Sequence, residues 1–261
     1  MFDSQNISIG IEEGVAFLKL NRAPVNALSR DFLDEIEKAI LALGAEPKVK
    51  VIVIASSIQN VFIAGVDLKE MSQLTDPKDI LGVIEKGQRV FNTIENSQKP
   101  VIAAIHGVCV GGGQELVMAC HIRIASDRTG FAQPEITLGI IPGFGGSQRL
   151  ARIVGASKAA ELILTGDVVK PQEALRIGLI NCVVSDGALL KTAKEMARKI
   201  ASRGLPAIQA SLRAITRGLD VPLEQGLKIE AEEFKSILGT HDMKEGIRAF
   251  IEKRQPRFTD S

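Results

Sequence analysis

Residues 106–116 decide how this chain folds, and they read His106-Gly107-Val108-Cys109-Val110-Gly111-Gly112-Gly113-Gln114-Glu115-Leu116. The apolar run that precedes them, residues 100–105, predicts a strand buried on both faces of a parallel sheet. Three consecutive glycines separate that strand from a predicted helix over residues 112–119, which places Glu115 in the first turn of the helix. A buried strand, a glycine turn and a helix in succession indicate an α/β unit.

The same alternation extends outward in both directions from this unit. Buried strands are predicted at residues 51–55 and 122–125, and the pattern of apolar residues predicts helices over 30–43 and about 79–96. A strand pair is expected at residues 7–9 and 15–20, a loop over 56–65, and a short strand at 130–132. Gly44 stands where a helix C-cap is expected. The order strand–helix–strand–helix–strand predicts an α/β fold with right-handed crossovers.

Beyond Pro142-Gly143 the pattern becomes mainly helical. Only residues 180–184 are typical of a strand in this part of the sequence. Helices are predicted over residues 145–154, 156–164, 171–177, 187–203, 205–217, 222–237 and 241–253. We therefore expect an α/β core in residues 1–200 and a helical C-terminal region in residues 201–261.

Composition excludes several classes of function. A net charge of +1 gives no electrostatic reason to expect nucleic acid or an anionic membrane as a partner. The three cysteines form no CxxC pair and the three histidines form no ligand cluster, so no metal is expected and a reduced, cytoplasmic setting fits. No apolar stretch is long enough to span a bilayer. The chain has no tyrosine, which excludes mechanisms that use a tyrosine acid.

Two glycine turns each follow a predicted strand and leave backbone amides free. Gly111-Gly112-Gly113 begins a helix, where free amides and the helix dipole favour negative charge, and Ala64-Gly65 exposes the amide of Val66. Two such amides that converge on one carbonyl oxygen form an oxyanion hole. The glycines by themselves also fit plain loops or a phosphate-binding turn.

Two glutamates lie close to these turns in the sequence. Glu115 follows the three glycines, and Glu135 follows Pro134 just after the short strand at residues 130–132. Two carboxyl groups beside an apolar cleft can divide the roles of general base and general acid. Taken singly, each also fits a solvated glutamate on a helix or loop.

Three segments taken together, residues 62–69, 106–116 and 133–146, resemble the crotonase (enoyl-CoA hydratase/isomerase) superfamily in order and spacing, over nearly the whole chain. The resemblance implies a spiral of repeated ββα units with a helical C-terminal trimerisation region. It implies that Glu115 and Glu135 are the two catalytic glutamates and that Val66 and Gly112 supply the oxyanion-hole amides. It also implies a homo-oligomer, either a trimer or a hexamer made of two trimers.

The resemblance implies a binding site for coenzyme A, which is part of the substrate, and no separate cofactor. The residues that it places at the substrate or at coenzyme A are Arg22, Ala23, Val25, Ala64, Val66, Asp67, Leu68, Lys69, Gly112, Pro134, Gly143, Phe250 and Lys253. Phe250 and Lys253 match residues that often reach coenzyme A across a subunit boundary. The turn at Pro142-Gly143 matches a stretch that helps to position the reacting water.

The implied activity is the reversible hydration of 2-enoyl-CoA thioesters to 3-hydroxyacyl-CoA, as in fatty acid degradation. Glu115 would activate the water for attack at C3, and protonated Glu135 would deliver a proton to C2. The alternatives are another acyl-CoA enzyme of this type, an enoyl-CoA isomerase or a cyclic dienoyl-CoA hydratase, and a catalytically silent acyl-CoA-binding subunit. The presence of both glutamates favours the hydratase.

Overall fold

The computed structural model describes residues 4–261, in which strands alternate with helices in the first half and helices dominate the second. The strands are β1 (Ile7–Glu12), β2 (Val15–Leu20), β3 (Val51–Ser56), β4 (Val61–Ile63), β5 (Val101–Ile105), β6 (Val108–Val110), β7 (Ile122–Ser126), β8 (Gly130–Ala132) and β9 (Cys182–Val184). The helices are α1 (Arg30–Ala45), α2 (Leu68–Met71), α3 (Pro77–Glu95), α4 (Gly112–Ala119), α5 (Gly146–Val154), α6 (Ala156–Thr165), α7 (Pro171–Arg176), α8 (Leu189–Ala201), α9 (Leu205–Leu219), α10 (Leu223–Ile237) and α11 (His241–Ile251). Two short 3₁₀ helices span Pro134–Leu138 and Asp186–Ala188.

The strands form two sheets. The larger sheet has the order β1-β2-β3-β5-β7-β9, and the smaller has the order β4-β6-β8. Only the pairing of β1 with β2 is antiparallel; all other pairings within these two sheets are parallel. Each strand of the smaller sheet directly follows a strand of the larger one, so the chain repeats a ββα unit through β3-β4, β5-β6 and β7-β8. The predicted spiral of ββα units is confirmed.

The larger sheet is buried on both faces, which explains its continuous apolar runs. One face packs into the main core, together with α1, α3, α4 and the smaller sheet. The other face is covered by α8, which presents Leu189, Ala193, Ala197 and Ala201 at helical spacing. Every residue of β5 is buried, and β5 leads directly through β6 into α4. The core therefore holds fixed the strand that precedes the triple glycine.

The predicted helices and long strands are present, with shifts of a few residues at their ends. Two short strands were not predicted: β4 falls in the expected loop over residues 56–65, and β6 falls within the glycine-rich turn. Three residues are too few to show the alternation by which a strand is recognised. The C-cap expected at Gly44 is also wrong, because α1 continues through it and is capped by Glu46, whose amide donates to the carbonyl of Ala42.

Helices α9 to α11 form the C-terminal region, and α9 packs closely on α10. Gly218 and Gly226 face each other there, and Arg213 and Arg217 of α9 both pair with Glu233 of α10. Apolar side chains remain exposed on these helices, namely Ile215, Leu219, Leu223, Leu227, Phe234, Ile247, Phe250 and Ile251. Within residues 4–261, no helix combines the length and the apolar character that crossing a bilayer requires. A division into domains at residue 200 stays a prediction.

The contact of α4 with β4 depends on the absence of a side chain at Gly113. A Cβ atom at this position would lie 2.4 Å from the carbonyl oxygen of Ile63, which is backbone and cannot move alone. We expect Gly113→Ala to lower the free energy of unfolding by about 1–3 kcal/mol, as over-packing of a core does. Urea denaturation at fixed protein concentration measures this change.

Gly82→Ala is the matched control. Gly82 lies inside α3, where an added Cβ would meet nothing within 4 Å, so this substitution should be neutral or stabilising through helix propensity. Equal effects of the two substitutions would contradict the close-packing role of Gly113.

Candidate active site

The glycine turn brings the start of α4 against the loop that follows β4. Gly111 has φ +54°, and a Cβ atom on it would lie 3.6 Å from the Cα atom of Gly65. A Cβ atom on Gly112 would lie 3.4 Å from Cγ2 of Val66. The predicted amide pair, Val66 and Gly112, is therefore brought together. Among the hydrogen bonds of residues 4–261, none is donated by either of these two amides.

A second set of contacts fixes the loop that carries Val66. Asn26 is fully buried, donates to the carbonyl oxygen of Phe62 over 2.8 Å, and accepts from the amide of Arg22 over 2.7 Å. The amide of Ala64 donates to the carbonyl of Val25, and the amide of Leu28 donates to that of Gly65. Residues 22–28 and 62–67 thus form one unit, although about forty positions separate them in the sequence.

Asp67 joins the same unit through its carboxylate. It pairs with Arg22 over 2.8 Å, and it caps α2 by accepting from the amides of Lys69 and Glu70. The hydrogen bond from Arg22 is the main reason that the pKa of Asp67 is lowered. Leu68 and Lys69 are exposed beside it. The structure therefore gathers the predicted coenzyme A residues of the two early segments at one place.

Glu115 is buried, and a turn from another part of the chain satisfies its carboxyl group. Its Oε1 atom accepts hydrogen bonds from the amides of Phe144 and Gly146, each over 2.7 Å. That turn is tied in place at its start, because Gln88 of α3 donates to the carbonyl oxygen of Gly143 over 2.8 Å. The second oxygen of Glu115 takes part in neither of these two bonds.

Glu135 lies against the glycine turn. A Cβ atom on Gly111 would lie 2.9 Å from its Oε1 atom, which places this carboxyl group against the start of α4. Pro134 begins the short 3₁₀ helix that carries it. The Oε2 atom of Glu135 is buried, and within residues 4–261 it has no hydrogen-bond partner. Both predicted glutamates therefore lie close to the turn that presents the Gly112 amide, Glu135 against Gly111 and Glu115 in the first turn of α4.

Burial changes the acid–base behaviour of both carboxyl groups. It raises the pKa of Glu115 to about 7, and the nearby charge of Glu135 adds to this effect. The amides of Gly146 and Phe144 and the charge of Arg149 oppose it. Burial also raises the pKa of Glu135. A carboxyl group with a pKa near 7, such as Glu115, can exchange protons with a ligand near neutral pH. In the described part of the chain, no cluster of three His, Cys, Asp or Glu side chains could hold a metal ion.

Comparison with known proteins identifies the family. A model of the enoyl-CoA hydratase/isomerase family matches residues 10–261. This chain belongs to that family.

Relatives and solved structures of the family match along their full length. A crotonyl-CoA hydratase of Syntrophomonas wolfei is 42% identical, with 97% of this chain and 98% of that protein covered. A short-chain-enoyl-CoA hydratase of Clostridium acetobutylicum is 42% identical, with 96% of each covered. The crystal structure of an enoyl-CoA hydratase from Bacillus anthracis superposes with a TM-score of 0.95 at 37% identity, covering 98% of this chain and 100% of that one.

Two predicted contact residues of the family lie apart from this cluster. Phe250 is 85% exposed near the end of α11, and Lys253 follows that helix with φ +53°. Among the hydrogen bonds and ion pairs found within residues 4–261, none joins either side chain to the two glutamates. Their predicted contact with coenzyme A stays a prediction.

Sequence reasoning missed the groups that support the two glutamates. Gln133 is buried and donates to the carbonyl of Gly111 over 3.2 Å. A Cβ atom on Gly146 would lie 2.6 Å from Oε1 of Gln133 and 2.9 Å from Oε1 of Glu115, so both oxygens lie close to Gly146. The bonds from the Phe144 and Gly146 amides to Glu115 were missed as well. A buried glutamine next to Pro134-Glu135 carries no periodic signal, and a backbone amide carries none at all, so the sequence could not reveal either.

The raised pKa of Glu115 should appear in the stability of the protein. In the folded protein Glu115 keeps its proton up to about pH 7, whereas in the unfolded chain it loses its proton near pH 4.5. The free energy of unfolding therefore falls as pH rises between these two values. Glu115→Gln keeps the neutral shape of the group. Relative to wild type, we expect it to gain about 3 kcal/mol in unfolding free energy between pH 4.5 and pH 8. Denaturant titrations across this range measure the gain.

Glu245→Gln serves as the control with the opposite sign. The hydrogen bond from Arg254 lowers the pKa of Glu245 to about 2, so its carboxylate stabilises the folded state above pH 4.5. This variant should lose stability relative to wild type as pH rises from 2 to 4.5. A Glu115→Gln difference that is the same at every pH would contradict the raised pKa.

Proposed function

We propose that this protein catalyses the reversible hydration of 2-enoyl-CoA thioesters to 3-hydroxyacyl-CoA, by syn addition of water, in fatty acid or related acyl-CoA degradation. The observation that carries the proposal is the placement of both glutamates at the glycine turn: Glu135 lies against Gly111, and Glu115 lies in the first turn of the helix that begins at Gly112, next to Val66. The relatives named as hydratases of crotonyl-CoA and of short-chain enoyl-CoA support the substrate class.

In the proposed mechanism the thioester carbonyl oxygen accepts hydrogen bonds from the amides of Val66 and Gly112. One water lies between the two carboxyl groups. Ionised Glu115 removes a proton from this water as the oxygen forms its bond to C3. The C2–C3 π electrons move toward the carbonyl and create an enolate oxygen, which the two amides stabilise; one such donor is typically worth about 3 kcal/mol in the transition state.

Protonated Glu135 then delivers its proton to C2 as the enolate collapses to the carbonyl. The sum of these steps adds one hydrogen and one hydroxyl group across the double bond. A proton that passes from Glu115 to Glu135 restores the starting state. Two backbone amides stabilise negative charge on Glu115, which supports its role as the base, and the raised pKa of Glu135 supports a proton-donating role for that group.

The substrate is proposed to lie along the unit formed by the two early segments. Arg22, Ala23 and Val25 lie next to the segment from Ala64 to Lys69, so one surface could contact coenzyme A while Val66 holds the thioester. The side chains of Arg22 and Asp67 form an ion pair with each other, and this pair supports the surface. Coenzyme A arrives as part of the substrate, and the proposed steps require no further cofactor.

Glu115→Gln and Glu135→Gln should each lower kcat for crotonyl-CoA hydration by about 10²–10⁴-fold, because each removes a positioned proton-transfer group. The loss of enoyl-thioester absorbance measures the rate. Glu195→Gln, an exposed glutamate on α8, is the control and should behave as wild type.

Near wild-type turnover in either variant would remove the role given to that glutamate. A panel of linear enoyl, 3-enoyl and cyclic dienoyl thioesters separates the alternatives. A wild-type protein that isomerises 3-enoyl thioesters or hydrates only cyclic dienoyl thioesters would replace the proposal by one of these activities. A protein that binds acyl-CoA without converting it would be a silent binding subunit.

We also propose that the protein assembles as a trimer or as a hexamer of two trimers. The exposed apolar residues of α9 to α11 support self-association, and so does the exposed Phe250, which is expected to contact coenzyme A bound to a neighbouring subunit. Sedimentation equilibrium should give three or six times the mass of 28.0 kDa. A monomer at micromolar concentration would contradict this proposal.

A further inference from the structure

Arg149 is a buried cation one helical turn beyond the start of α5, and four hydrogen bonds occupy its guanidinium. Its Nε and Nη2 atoms donate to Oε2 of Glu95 over 3.0 and 2.7 Å. Nη2 also donates to Oδ1 of Asn92 over 2.6 Å, and Nη1 donates to the carbonyl oxygen of Phe144 over 3.1 Å. The side chain therefore joins the last turns of α3 to the turn at residues 144–146.

The turn is shaped to admit this guanidinium. A Cβ atom at position 145 would lie 2.3 Å from Nη1 of Arg149, and Gly145 has φ +107°, a conformation that disfavours other residues. The glycine therefore allows the cation to lie directly against the backbone that it supports. A planar guanidinium with several donors in fixed directions can hold such a turn in one orientation, which a lysine ammonium cannot do.

The same peptide segment connects Arg149 to Glu115. The carbonyl of Phe144 accepts from Arg149, while the amides of Phe144 and Gly146 donate to Oε1 of Glu115. Any rotation of this turn would change the direction of both amides. The orientation of Glu115 therefore depends on a side chain that is not in contact with its carboxyl group.

We propose that Arg149 is a positioning residue for the hydration reaction: anchored by Glu95 and Asn92, it holds the turn at 144–146 so that both amides point at Glu115, and it adds a positive charge that favours the ionised base. The activity readouts of this inference rest on the proposed function. Its second readout, the protonation of Glu115, does not.

The charged groups that face Glu115 are few in the described chain. Glu135 faces it from the 3₁₀ helix and disfavours its ionised form, whereas Arg149 faces it from α5 and favours that form. The amides of Phe144 and Gly146 act in the same direction as Arg149. Loss of the cation and of the amide alignment should therefore both shift the protonation of Glu115 toward higher pH.

The test compares Arg149→Met, Arg149→Lys and Glu95→Gln in the full-length protein. We expect Arg149→Met to lower kcat for crotonyl-CoA by about 100-fold, as a small displacement of a catalytic group can do. KM should be nearly unchanged, because none of the hydrogen bonds of Arg149 involves a predicted substrate-contacting residue. The acid limb of its pH–rate profile should move to higher pH. Arg149→Lys should move the limb back toward its wild-type position and restore part of kcat, because it keeps the charge but lacks the planar guanidinium that holds the turn. Glu95→Gln should lower kcat less than Arg149→Met does.

Arg152→Gln is the matched control, because Arg152 is an exposed arginine on the same helix and its side-chain bonds within residues 4–261 reach only Gln148. It should leave kcat and the pH profile unchanged. If Arg149→Met does not fold, Arg149→Lys and Glu95→Gln carry the test. Variants that lose thermal stability yet keep wild-type kcat and the wild-type acid limb would show a purely structural role and overturn the inference.

Infrared pH titration keeps this test separate from the proposed function. The carbonyl stretch of protonated Glu115, assigned by its absence in Glu115→Gln, reports protonation without substrate. Its midpoint should rise in Arg149→Met and stay unchanged in Arg152→Gln. If the wild type does not hydrate crotonyl-CoA, the proposed function fails, and this midpoint alone decides the inference. A midpoint that does not move overturns the inference even in an active enzyme.

Discussion

The two hydrogen bonds from the amides of Phe144 and Gly146 to Oε1 of Glu115 are the constraint on which the site depends. A carboxyl group in the protein interior is costly unless it is neutral or receives hydrogen bonds. Burial here raises the pKa of Glu115 to about 7, and the two amides and Arg149 oppose that rise. The opposing effects leave the group able to change protonation near neutral pH, which is the condition that a general base must meet.

This constraint reaches through much of the fold. Glu115 is fixed by α4, whereas its donors belong to the turn before α5, and that turn is held by Gln88 and, through Arg149, by Glu95 of α3. Three helices must therefore pack in register for one carboxyl group to be satisfied. The close contact of Gly113 with Ile63 fixes the position of α4, because the absence of a side chain at Gly113 lets α4 approach the smaller sheet closely.

The smaller sheet has a comparable role for the substrate side of the site. Its strands β4, β6 and β8 lead to Val66, to the triple glycine and to Glu135 respectively, and they are parallel, so the three segments leave the sheet at the same edge. Asn26 ties the early loop at residues 22–28 to this edge from within the core. The groups that would contact the thioester therefore come from four separate parts of the chain.

The sequence by itself determined the long buried strands, the helices and the repeated α/β order, because continuous apolar runs and helical spacing are local patterns. The two glutamates are singled out by the family resemblance, since each alone also fits a solvated residue. The sequence could not reveal β4 and β6, which are too short to show a period, nor the continuation of α1 through Gly44 to its cap at Glu46. Only the tertiary structure decided which groups support the glutamates. Gln133, Arg149 and the amides of Phe144 and Gly146 act through contacts made by folding, and the protonation of Glu115 depends on burial and on those contacts, neither of which any stretch of sequence contains.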